Sequence, residues 1–138
     1  MSSTRVLFLC THNSARSQIA EALLRSRGRG AFEVESAGTE ATLVRPHALT
    51  VLSEIGIDAS AQTSKTLHQF LDEPFDYVIT VCDAANDACP IFPGKKYLDW
   101  ALDDPAGQGI DAVRPIRDEI RGLIEGLIAE IDERAANA

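Results

Sequence analysis

The chain has 138 residues, of which 45% are hydrophobic and 25% are charged. This is enough for one globular domain with its own core, so we predict a single domain over residues 1–138. The formal net charge of −8 repels polyanions and makes nucleic acid and anionic membranes unexpected partners. The apolar run VLFLC is too short for a signal peptide or a membrane span, so a cytoplasmic location is expected.

Strand patterns and helix patterns alternate along the chain. A continuous apolar run at 5–9 predicts a strand that is buried on both faces. Apolar residues four apart predict a helix over 17–27 that stops at Gly28. The later elements are strands at 32–36, 75–81 and 95–100, a helix at 46–55 closed by Gly56, and a long helix from Pro115. This alternation predicts an α/β fold, a four-stranded parallel sheet with helices on both faces.

Two of the three cysteines follow predicted strands. Cys10 comes just after the first strand and Cys82 just after the third. Ligands of such folds bind beyond the carboxyl ends of the strands, so we predict that these two residues are neighbours at that edge. Three cysteines cannot all pair within one chain, and disulfides are rare in the cytosol. Catalytic, redox or metal-binding use is therefore favoured over a structural disulfide.

The segment CTHNSARS, residues 10–17, joins the first strand to the first helix. Such a loop directs backbone N–H groups into one concavity, and the helix dipole adds positive potential there. Arg16 adds a planar fork for two oxygens of a tetrahedral oxyanion. The same surroundings favour the thiolate form of Cys10, to which Ser14 and Ser17 could donate hydrogen bonds. The alternative is that Cys10 is a small buried hydrophobe at a strand end.

The stretch VLFLCTHNSARSQIAEALLR resembles the N-terminal signature of the low-molecular-weight protein tyrosine phosphatase superfamily. The resemblance continues through SAGTE (36–40), VCDAANDACPIFPG (81–94) and DWALDDPAG (99–107). Within the superfamily, Cys82 and Cys89 match the resolving pair of thioredoxin-linked arsenate reductases. The pair Asp104-Pro105 is followed by AGQG, without the tyrosine of the phosphatases. The alternative is a protein tyrosine or small-phosphoester phosphatase with redox-regulatory cysteines.

The resemblance implies a relay of thiols. Cys10 would attack arsenate, Cys82 would attack Cys10, and Cys89 would attack Cys82 to leave a disulfide for thioredoxin to reduce. Glutaredoxin or a low-molecular-weight thiol is the alternative donor. Asp104 resembles the general acid of the family, and Asp103 competes for that role.

The resemblance also implies which residues shape the loop. The oxyanion would be bound by Thr11, His12, Asn13, Ser14, Ala15, Arg16 and Ser17. Asn13, Glu21 and Ser36 match positions that support the loop, with a monovalent cation in some relatives. Lys65 stands where those relatives have an acidic residue, and its ammonium could replace the cation. The alternative is a solvated surface lysine.

A zinc site from Cys10, His12, Cys82 and Cys89 is the binding-module alternative. Six residues separate Cys82 from Cys89, which is not the short spacing of a metal knuckle. We therefore expect no metal and no cofactor.

The six residues between Cys82 and Cys89 could begin a short helix, with Asp83 at its cap. Seven residues of helix span about 10 Å, whereas a disulfide needs α-carbons within roughly 7 Å. Formation of the Cys82–Cys89 bridge is therefore expected to remodel this segment.

Overall fold

Four parallel strands form the centre of the molecule. The computed structural model describes residues 4–10, 13, 15–28, 30–40, 42–81, 94–100, 102 and 108–136. The strands are β1 (Thr4–Leu9), β2 (Phe32–Ala37), β3 (Tyr77–Thr80) and β4 (Lys96–Asp99). They are ordered β2-β1-β3-β4 and every pair is parallel. The predicted four-stranded parallel sheet is confirmed.

Apolar side chains of β1 pack on both faces of the sheet because successive residues point to opposite sides. Val6 and Phe8 face a cluster that includes side chains of three helices, α1 (Arg16–Arg27), α2 (Pro46–Ser53) and α3 (Ile110–Ala136). Leu7 and Leu9 face a smaller cluster with Phe70, which belongs to a one-turn 3₁₀-helix at Leu67–Phe70. Among the described residues, the larger part of the core therefore lies on the Val6 and Phe8 face of the sheet and the smaller part on the Leu7 and Leu9 face.

The C-terminal helix begins earlier than the sequence pattern predicts. Its first residue is Ile110, and Pro115 lies inside the helix, so the prediction of a start at Pro115 is wrong by five residues. Tertiary contacts stabilise the extra turn. Val113 is buried in the core, and Arg114 pairs with Glu54 in the turn that follows α2. These contacts offset the one intrahelical hydrogen bond that a proline cannot donate.

The carboxyl ends of the strands and one long loop meet at the same edge. The Cys10 N–H donates to the Ala37 carbonyl, and the Val81 N–H donates to the Leu9 carbonyl. The Gly38 N–H, just past β2, donates to the carbonyl of Lys65. Three strand ends and the 61–66 loop thus surround the start of α1.

No helix in the described part of the chain is both long enough and apolar enough to span a membrane.

Candidate oxyanion-binding site

Cys10 is the first residue after β1 and is 3% exposed. Its side chain belongs to the hydrophobic cluster beneath the helices, so burial alone would fit the small-hydrophobe alternative. Val81 lies beside Leu9 on the neighbouring strand. Val81, the last described residue before Cys82, therefore lies next to the end of β1, and the closeness of the two cysteines stays a prediction because Cys82 lies outside the described residues.

Arg16, the first residue of α1, places a guanidinium at the same edge. Its side chain is almost fully buried, and Nη1 donates to the Leu102 carbonyl at 3.1 Å. A buried guanidinium is held only where such acceptors surround it. Leu102 precedes Asp104 by two residues in the sequence. Arg16 therefore binds the backbone at Leu102, and the predicted general acid itself lies outside the described residues.

The N-terminus of α1 provides backbone donors that have no acceptor inside the helix. Ala15 is the N-cap, and its methyl side chain cannot accept a hydrogen bond from the first turn. The first helical bond runs from the Ile19 N–H to the Ala15 carbonyl at 2.8 Å. The amides before Ile19 have no partner within the helix, and the helix dipole makes this end positive. An oxyanion is a suitable cap for these amides.

Asn13 holds the loop in a left-handed conformation with φ of 49°. Its Nδ2 donates to the hydroxyls of Ser17 and Ser36, each at 2.9 Å. Its Oδ1 accepts from the Gln18 side chain at 3.0 Å and from the Lys65 backbone N–H at 2.7 Å. The buried amide thus uses both donors and both lone pairs of its oxygen. Asparagine tolerates this backbone region better than most residues.

Glu21 is a buried charged residue that joins this network through Ser36. It is 2% exposed and accepts a hydrogen bond from the Ser36 hydroxyl. Arg25 Nη1 lies 2.8 Å from its Oε2, and Lys65 Nζ lies 3.6 Å from its Oε1. A buried carboxylate needs such partners because its desolvation is costly.

Lys65 is not a solvated surface lysine. Its side chain is 14% exposed, and Nζ also donates to the Thr63 carbonyl at 2.9 Å. A cleft of about 550 Å³ reaches this ammonium and is lined by Glu21, Arg25, Glu35, Gln62, Thr63 and Lys65, among others. Burial raises the pKa of Glu35 in this cleft above its ordinary value, although the charge of Lys65 opposes the shift.

Several predicted site residues lie outside the described residues. These are Thr11, His12 and Ser14 of the loop, the resolving cysteines Cys82 and Cys89, and Asp104 with its neighbour Asp103. Within the described ranges no three His, Cys, Asp or Glu side chains converge on a metal position. The zinc alternative involves His12, Cys82 and Cys89 and so stays an untested hypothesis.

Two contributors to the site were not predicted from the sequence. The first is the Leu102 carbonyl, and no residue type in the sequence marks a backbone acceptor. The second is Gln18, whose side chain is fully buried in the first turn of α1. The sequence signal that could have identified Gln18 is a polar residue placed directly before the apolar residues of α1.

A parallel α/β sheet with a cysteine and an arginine on one strand-to-helix loop defines a class of oxyanion-binding proteins. The chain belongs to the low molecular weight phosphotyrosine protein phosphatase family, whose profile matches residues 5–137.

Relatives from this family cover nearly the whole chain. A protein of Synechocystis named glutaredoxin arsenate reductase is 37% identical over 128 residues, 92% of this chain and 98% of its own length. The solved structure of an arsenate reductase in the phosphate binding state has a TM-score of 0.82 and 36% identity, covering 93% of this chain and 98% of that one. The solved structure of the thioredoxin-dependent arsenate reductase of Corynebacterium glutamicum has a TM-score of 0.77 and 40% identity. The match covers 96% of this chain and 63% of that one.

Proposed function

We propose that this protein is an arsenate reductase that works through Cys10, Cys82 and Cys89 and is regenerated by thioredoxin. The observation that carries the proposal is the junction of β1 and α1, where a buried Cys10 and a buried Arg16 flank a loop held by Asn13. The arsenate reductases similar to this chain support the choice of substrate. We also propose that residues 1–138 form one domain, that the protein is located in the cytoplasm, and that it does not bind nucleic acid.

Arsenate would bind as a tetrahedral anion in the loop of residues 11–17. The amides at the start of α1 and the Arg16 guanidinium would hold its oxygens. Ser17 accepts a hydrogen bond from Asn13 and keeps its own hydrogen to donate, for which the Cys10 sulfur is the proposed acceptor. The positive end of the helix overcomes the negative charge of the whole molecule at this one place.

The proposed chemistry transfers two electrons from sulfur to arsenic. The Cys10 thiolate attacks As(V), and Asp104 protonates the departing oxygen. The Cys82 thiolate then attacks Cys10 Sγ, a Cys10–Cys82 disulfide forms, and the electron pair of the broken S–As bond leaves with arsenite. Cys89 attacks Cys82 and frees Cys10, so that a Cys82–Cys89 disulfide remains for an external dithiol.

We further propose that the Lys65 ammonium takes the place of a monovalent cation beside Glu21. Its contacts with Glu21 and the Thr63 carbonyl support this, because a cation at that point would meet the same oxygens. Asn13, Glu21 and Ser36 would then support the loop without a bound metal ion.

A phosphatase is the second candidate, because the family is one of phosphatases and the same loop suits phosphate. The two candidates differ in what they need from Cys82 and Cys89. Hydrolysis of an aryl phosphate needs only Cys10, Arg16 and an acid. Repeated reduction of arsenate needs all three thiols.

The test follows arsenate-dependent NADPH oxidation with thioredoxin and thioredoxin reductase, beside hydrolysis of p-nitrophenyl phosphate. Cys10→Ser should abolish both reactions. Cys82→Ser and Cys89→Ser should stop multiple-turnover reduction but preserve hydrolysis. A parallel assay with glutaredoxin and glutathione identifies the donor. Absence of arsenate-dependent turnover with every thiol donor would refute the reductase proposal and favour the phosphatase.

A further inference from the structure

Gln18 lies inside the network that shapes the cysteine loop. Its side chain is 0% exposed, and a buried amide must find hydrogen-bond partners. Nε2 lies 3.1 Å from the Asn13 carbonyl, 3.0 Å from Asn13 Oδ1 and 2.9 Å from the Thr63 carbonyl. Two hydrogens therefore serve three oxygens, two of which belong to Asn13.

The other end of this amide is also fixed. Gln18 Oε1 accepts from Gln62 Nε2 at 2.7 Å, so both the nitrogen and the oxygen of the Gln18 amide have partners. The backbone of Lys65 approaches the same Asn13 oxygen from the other end of the 62–65 segment. Gln18 is thus the side chain that joins the helix, the loop and this segment.

We propose that Gln18 is a positioning residue for oxyanion binding, which acts by holding Asn13 in its left-handed conformation. A left-handed residue next to a right-handed one is an arrangement in which successive N–H groups converge on an anion. Cys10 does not depend on Gln18, because its backbone is bonded to Ala37 on β2. Loss of the Gln18 amide should therefore weaken anion binding while the thiol stays in place. The inference shares with the proposed function only the assignment of the loop to oxyanions.

The experiment uses the full chain with Cys82→Ser and Cys89→Ser, so that Cys10 is the sole thiol. Iodoacetamide alkylation of Cys10 is measured over a series of inorganic phosphate concentrations, and the concentration that halves the rate is recorded. Gln18→Met, close to glutamine in volume and a good helix former, should raise that concentration about tenfold or more, since a buried carbonyl loses its donor.

Gln62→Met is the matched control. It removes the bonds from Gln62 Nε2 to Gln18 Oε1 and to the Gln18 backbone carbonyl but leaves every contact of Asn13. The phosphate concentration that gives half-protection should therefore change less than about twofold. Both variants are expected to lower the melting temperature. If both variants melt at a lower temperature but phosphate protects Gln18→Met as well as it protects the parent, the role of Gln18 is purely structural and the proposal is overturned. An equal loss of protection in Gln62→Met would also overturn it.

Gln18→Glu adds a pH profile that a structural role would not produce. The ionised carboxylate has no hydrogen to donate to the three oxygens that Gln18 Nε2 contacts. The protonated carboxylic acid has one O–H donor and can bond to one of them. Relative to the parent at each pH, its phosphate protection should recover as the pH falls to 5. A constant ratio contradicts the proposal, as does failure of both Gln18 variants to fold at any pH while Gln62→Met folds. If phosphate protection changes in the Gln18 and Gln62 variants as expected but the parent protein shows no arsenate turnover, the proposed function is refuted and this inference still holds.

Discussion

Removing the Lys65 ammonium should convert the protein into one that responds to potassium. Lys65→Ala takes a cation from beside Glu21, a carboxylate that is 2% exposed. The Arg25 contact and the Ser36 hydrogen bond remain, as does the Lys65 backbone bond to Asn13. The expected cost is about 1–3 kcal/mol for a buried charged acceptor that loses one partner.

Potassium should restore much of this loss. The cleft of about 550 Å³ gives ions access to the vacated position. A cation present at ten times its Kd would return about 1.4 kcal/mol. One kcal/mol corresponds to roughly 4 °C in melting temperature for a domain of this size. We therefore expect Lys65→Ala to melt several degrees higher in potassium chloride than in tetramethylammonium chloride, and the parent to show no such difference.

Thermal melting and arsenate turnover are measured in the two salts at constant ionic strength. Lys65→Met is the first control, because its side chain refills the position without a charge and should stay insensitive to potassium. Lys95→Ala is the second, because it removes an equal charge from a lysine that is 77% exposed. A strong potassium dependence of the parent, or a Lys65→Ala variant that ignores potassium, would refute the reasoning.

Three further predictions test the support of the loop and the relay. Asn13→Ala should lower the free energy of unfolding by about 5–6 kcal/mol, from four hydrogen bonds at about 1 kcal/mol each and about 1–2 kcal/mol for alanine at positive φ. A double-mutant cycle with Ser36→Ala should show a coupling of about 1 kcal/mol by urea unfolding, and strict additivity would contradict the shared bond. Glu35→Gln should stabilise the protein at pH 7, because burial raises the pKa of Glu35 and so penalises its charged form in the folded state. That advantage should fade as the pH falls through the raised pKa towards 4.5, the ordinary value, and a pH-independent difference would count against it. Amide exchange over residues 82–92 should increase when the Cys82–Cys89 disulfide forms, and equal protection in both redox states would show a relay without remodelling.

The strands and most helices could be predicted from local sequence because they depend on local patterns. The four residues Val6 to Leu9 are fully buried, as a continuous apolar run predicts for a strand between two layers. The start of α3 could not be predicted in this way. Pro115 is a strong local signal for a helix start, and only contacts such as that between Arg114 and Glu54 override it.

The position of Cys10 and Arg16 at one strand-to-helix junction was determined by the sequence itself. Five residues separate them along the chain, and a strand followed at once by a helix leaves little freedom for where that loop can lie. The surroundings of Lys65 follow from no local pattern in the sequence, and only the family resemblance suggested them before the tertiary structure showed them. Its ammonium meets Glu21, 44 positions earlier in the chain, because the 61–66 loop docks on Gly38 beyond β2. Gln18 likewise gains its role only when Thr63 and Gln62 reach it from that loop. Hydrogen bonds between distant segments depend on how the backbone folds over itself, and no local periodicity records that.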